Sequence, residues 1–96
     1  MNDTALSFVA DSIDFYQNYP YTEENSFRHW TLTEIFEAVS NHPWDPASET
    51  VWNLELLFRS YVFTAVTSLQ KLIFTVAADT AAELLECLKE IEEVEV

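Results

Sequence analysis

Not one of the 96 residues is glycine. Glycine alone enters positive φ freely, so this backbone is poorly suited to sharp bends and to close main-chain contact with a ligand. The phosphate-cradling P-loop, the dinucleotide-binding turn and the EF-hand calcium loop each require glycine at set positions, so none of them is present. The same absence bears on the fold, because the tight two-residue turn of a β-hairpin is ordinarily made by Gly, Asn or Asp.

Composition places the chain among folded proteins. Apolar residues make up 49% and aromatics 15%, whereas disordered acidic tails lack the material for a core. A chain of this length makes one domain, residues 1–96, and buries somewhat under about 70% of its unfolded surface. Seventeen acids against four bases give a net charge of −13. That excludes a basic nucleic-acid binder, since neutralising phosphates takes Lys and Arg. The single cysteine, Cys87, has no internal disulfide partner. The opening MNDTALSF is acidic, unlike a secretory or mitochondrial address. The most membrane-like stretch, Ser60 to Ala78, contains Lys71, and a lysine near a span's centre costs about 2.5–3.5 kcal/mol. The expected setting is therefore soluble and cytoplasmic, with no membrane partner.

The charge is unevenly distributed. Residues 1–45 sum to −7, residues 46–78 to zero and residues 79–96 to −6. The neutral middle, rich in Leu, Val, Phe and Thr, reads as a core carrying acidic elements on its outside.

Apolar spacing predicts an all-α fold, a compact bundle of about four helices. The first runs from about Thr4 to Asn18, with Leu6, Val9, Ile13 and Tyr16 inward and Ser7, Asp11, Asp14 and Asn18 outward. Pro20 ends it, and residues 20–30 read as a polar, aromatic connector. A capping box at Thr31 and Glu34 opens the second helix, which buries Leu32, Ile35, Phe36 and Val39 and closes at His42-Pro43. Asp45-Pro46 starts a third, whose polar positions from Glu49 to Thr75 follow a 3.6-residue step as one long helix or as two separated by a kink. Asp79 or Thr80 caps the last helix, which packs through Leu84, Leu85, Leu88 and Ile91. The alternative is an α+β fold with a β-hairpin in residues 60–78, suggested by the β-branched and aromatic residues there and opposed by the lack of a turn former around Ser68-Leu69-Gln70. In that version Glu92 to Val96 pairs as an edge strand; in the helical one it frays.

No catalytic constellation emerges, and the expectation is a non-enzyme without metal or cofactor. His29 and His42 flank the second helix far from Cys87 in sequence, and nothing brings a Cys–His pair together. Cys87 reads as a small buried hydrophobe, and the histidines have no metal-ligand spacing. The distinctive pattern is acidic. Glu83, Glu86, Glu90 and Glu93 recur at three or four residues, with neighbouring Cβ atoms roughly 5–6 Å apart, a spacing like that of successive phosphates. Asp11 and Asp14 extend this surface on the first helix, and Glu23 and Glu24 on the connector. Such carboxylates also serve simply as a solvated coat. Tyr19, Tyr21, Trp30 and Trp44 stand in connectors beside acids, as interface anchors or as packing for the connectors.

Small size, strong acidity and the closing stretch Ala82-Glu83-Leu84-Leu85-Glu86-Cys87-Leu88-Lys89-Glu90-Ile91-Glu92-Glu93 resemble the DNA-mimic inhibitors of phages and mobile elements, the anti-restriction and anti-CRISPR proteins. The resemblance implies a protein that works in the host bacterial cytoplasm and blocks the nucleic-acid groove of a CRISPR effector or nuclease, without binding nucleic acid itself. Asp11, Asp14, Glu83, Glu86, Glu90 and Glu93 would enter that groove. Two other readings remain open. One is an antitoxin or immunity protein held on a basic toxin by aromatic anchors. The other is an oligomerisation module, a homodimer built on the apolar surplus of residues 50–78.

Overall fold

The computed structural model describes residues 2–18 and 22–95. Over these residues the chain forms four α-helices: α1 (Asp3–Asn18), α2 (Glu23–Asn41), α3 (Ala47–Thr64) and α4 (Ser68–Glu95). No strand occurs among the described residues, so the hairpin alternative does not hold and the all-α bundle does. None of the four is long and apolar enough to cross a membrane.

Helix α1 follows the sequence expectation within a residue. Val9 and Ala5 are buried, Leu6, Ile13 and Tyr16 pack beside them, and Ser7, Asp11, Asp14 and Asn18 face solvent.

Helix α2 starts eight residues before Thr31. Its cap is Thr22, extended at φ −122° and ψ 159°, whose hydroxyl accepts the Asn25 amide at 3.1 Å. Glu23 and Glu24 then occupy the first turn, where the helix dipole stabilises them. Most of the expected connector is therefore helix, and Thr31 is a buried interior residue whose hydroxyl donates to the Phe27 carbonyl at 2.8 Å. The expected closure at His42 holds, its amide donating to the Val39 carbonyl. Tyr19, Pro20 and Tyr21 lie outside the described residues.

Helix α3 begins after Pro46, as expected, but without help from Asp45. Pro46 itself holds the capping position and no side chain near it in sequence caps the helix. The acid that does so comes from the far end of the chain: Glu92 Oε1 accepts the Ser48 amide at 3.0 Å and Glu92 Oε2 accepts the Ser48 hydroxyl. A carboxylate at a helix N-terminus satisfies free amides and meets the positive end of the dipole. Far from fraying, the tail at Glu92 pins α4 to α3.

The largest correction concerns where α4 starts. The helix begins at Ser68 and passes straight through Asp79 and Thr80; Thr80 is buried and donates to the Val76 carbonyl at 2.7 Å. The break with α3 falls instead at Ala65–Thr67, and a capping box makes it. Thr67 Oγ1 accepts the Gln70 amide at 3.1 Å, while Gln70 Oε1 accepts the Val66 and Thr67 amides at 2.9 and 3.3 Å. This turn needs no left-handed residue, and no described residue has positive φ. A chain of helices joined this way has no need of glycine.

Short connections place α1 against α2 and α3 against α4, and α2 packs across α4. The molecule measures 42 × 30 × 21 Å, two helix layers thick. At 1.5 Å per residue α4 is about 42 Å long, whereas α1 and α2 are about 24 and 28 Å. They therefore cover only part of α4, whereas α3, at about 27 Å, matches α2 in length. Under that cover lie Val9, Leu32, Ile35, Val39, Val51, Leu84, Leu85 and Leu88, with Ala47, Ala77, Ala78 and Ala81 where helices come close. The buried set ends at Phe58 on α3 and resumes at Ala77 on α4, so from Arg59 to Val76 no residue is buried.

Candidate partner-binding surface

All eight carboxylates singled out from sequence are exposed: Asp11 and Asp14 on α1, Glu23 and Glu24 on α2, and Glu83, Glu86, Glu90 and Glu93 on α4. On α4 the pattern follows from the buried face. Leu84, Leu85 and Leu88 turn inward, so residues at 83, 86, 90 and 93 turn outward over an axial length of about 15 Å. Among the described residues only Glu24 of the eight has a cationic partner, Arg28 at 3.7 Å, and that guanidinium also lies 5.9 Å from the Tyr16 ring centroid.

The helices bring some of these acids together. Asp11, Glu83 and Glu90 border the shallow clefts between α1 and α4, which are floored by Phe8, Cys87 and Ile91. Glu86 and Glu93 lie about 60° farther round α4. Glu23 and Glu24 belong to the start of a different helix, and Asp14 lies one turn beyond Asp11. The acids thus form adjoining patches on three helices, and only the α4 set is a continuous ridge.

The two tryptophans separate. Trp44, 82% exposed, projects from the α2–α3 connector. Trp30 is on α2, not in a connector, with its ring 6.2 Å from Phe58. It lines a groove of about 570 Å³ between α2 and α3, where Leu54, Leu57, Phe58 and Tyr61 form the apolar wall and Glu34, Glu37 and His42 the polar one.

Chemistry-bearing residues do not converge. Among the described residues no three of His, Cys, Asp or Glu gather as a metal site. Cys87 is half-buried at the α1–α4 clefts, and His42 is exposed beside Asp45 at 3.8 Å.

The feature least expected as surface is apolar. On its outer face and around its turn the α3–α4 hairpin exposes Trp52, Leu56, Leu69 and Leu72, with Phe63 and Val66 at 90% and 89%, while the exposed Leu57 and Tyr61 belong to the Trp30 groove. Monomeric soluble proteins rarely leave a contiguous patch of this kind uncovered. Its signal in the sequence is the apolar surplus of residues 50–78, which serves as core only where another helix reaches it. No family model, curated protein or solved structure shows significant similarity to the chain.

Proposed function

We propose that the protein is a non-catalytic inhibitor that presents its carboxylates to the cationic, nucleic-acid-binding groove of a CRISPR effector or restriction nuclease in the host bacterial cytoplasm. The observation that carries this reading is the exposure of all eight carboxylates, seven of them without a cationic partner among the described residues. Four stand on one face of a helix whose other face is packed, so the spacing of their charges is fixed before binding. Arg and Lys side chains that normally hold phosphates would form charge-assisted, partly bidentate contacts with them. Opposite fields speed the encounter, and added salt weakens it. Contact with a cationic groove also relieves the mutual repulsion of acids three and four residues apart.

The Trp30 groove and the bare Trp44 ring favour a second reading, a shape-specific plug for a basic toxin in which aromatic anchors dominate. One experiment distinguishes them. The protein is titrated into purified CRISPR effectors and restriction nucleases holding fluorescently labelled DNA, and displacement is read by anisotropy at low and high salt. Inhibition by charge predicts displacement that Glu83→Gln/Glu86→Gln/Glu90→Gln/Glu93→Gln abolishes and salt suppresses. Displacement unaffected by that variant but lost with Trp30→Ala/Trp44→Ala contradicts it.

A further inference from the structure

We infer that the outer face of the α3–α4 hairpin, from Trp52 to the turn, is the docking surface for a second copy of this chain, giving a symmetric homodimer. Trp52, Leu56 and Phe63 follow one another at i, i+4 and i+11 and so share a stripe on α3. Leu69 and Leu72 make the corresponding stripe on α4, and Val66 joins them at the turn. Arg59 lies on the first stripe, seven residues after Trp52, and Asp79 on the second, seven after Leu72. Arg59 Nη1 reaches Asp79 Oδ1 at 3.9 Å, so the two stripes adjoin on one face. The Thr67–Gln70 capping box holds the turn between them, so the surface is shaped before any partner arrives.

Charge selects the occupant. The chain carries −13, and two copies repel wherever their acidic helices meet. Residues 46–78 sum to zero, and Arg59 is held by Glu55 at 2.9 Å as well as by Asp79. Between Leu56 and Leu72 a second copy can settle without facing unpaired carboxylates, whereas the same face of α4 turns acidic from Glu83 onward. Area agrees. At 53% and 90% exposure Trp52 and Phe63 offer roughly 200–350 Å², and three leucines and Val66 enlarge the patch toward the ~800 Å² per partner of a standard interface. A two-fold axis would set one hairpin against its copy, each burying the same patch. The dimer does not depend on the inhibitor reading, because the α4 residues it buries, Leu69 and Leu72, lie about three turns or more before Glu83.

Sedimentation velocity of the full chain over a concentration series tests this. The expected species at micromolar concentration has twice the 11.1 kDa chain mass. Leu56→Glu/Phe63→Glu should weaken association by more than about tenfold with helicity by circular dichroism unchanged, and Glu83→Gln/Glu90→Gln should not weaken it. Should the double glutamate variant fail to fold, a Trp30→Phe/Trp44→Phe protein keeps Trp52 as its single reporter. Its emission should shift to shorter wavelength as concentration rises through the dimerisation range. A chain that stays monomeric throughout, or a Trp52 emission that does not respond to concentration, overturns the proposal. So does a dimer that survives Leu56→Glu/Phe63→Glu in folded form. A monomer that instead floats with phosphatidylcholine vesicles replaces it with a lipid surface.

Discussion

Two parts of α4 present the same residue type in opposite settings. Toward its C-terminus Leu84, Leu85 and Leu88 are buried; toward its N-terminus Leu69 and Leu72 stand in water. Helix propensity does not separate them, and neither does hydrophobicity. Facing and neighbours do: Leu72 lies about 180° round the helix from buried Ala81, and α1 and α2, about 14–18 Å shorter than α4, leave part of it open. Apolar periodicity therefore says that a face wants a partner, but the partner need not come from the same chain.

The contrast can be broken by substitution, most severely at the base. Leu88→Ala removes a fully buried side chain and should cost about 2–5 kcal/mol in denaturant unfolding. A cost near zero would mean that the base is not the core described. Ala81→Leu inserts bulk at a point of complete burial and should cost about 1–3 kcal/mol in the same assay. The caps come next. Glu92→Ala leaves the α3 N-terminus without its acceptor, and Thr67→Ala opens the box at the tip turn; each should lower stability by about 0.5–2 kcal/mol, measured by thermal melting. The smallest effect belongs to the tip. In dilute solution Leu69→Ala should change stability by no more than about 0.5 kcal/mol, and a loss like that of Leu88→Ala would show Leu69 buried after all.

Much of this fold was legible in the sequence, unevenly and for identifiable reasons. The α1 stripe was clear because one of its faces is polar from end to end. The start of α2 was missed because Glu23-Glu24-Asn25-Ser26 carries no apolar stripe of its own and is ordered by Thr22 and by the packing of the turns that follow. Thr31 and Glu34 have the spacing of a capping box, yet Thr31 is interior; the box that operates, Thr67 to Gln70, ends in Gln and sits in a run apolar enough to suggest a strand. Asp79-Thr80 looked like a start because an acid before alanines resembles a cap, but tertiary packing on both sides carries the helix through. Exposure of the acids was also legible, since it follows from the position of the leucines. Their grouping across α1 and α4 was not, because it depends on how helices from opposite ends of the chain pack. The bare apolar face was half legible: the apolar surplus of residues 50–78 was evident, but its location on the outer face and turn of the α3–α4 hairpin required the packing of all four helices.

The account stands most directly on a difference in protection between the two regions. Hydrogen exchange of backbone amides, followed by mass spectrometry at high and low protein concentration, measures it. If a second copy completes the tip, amides of residues 59–76 are slow to exchange in concentrated protein and speed up on dilution, while those of residues 77–91 stay slow at both concentrations. Tip amides that exchange at one rate regardless of concentration would contradict it.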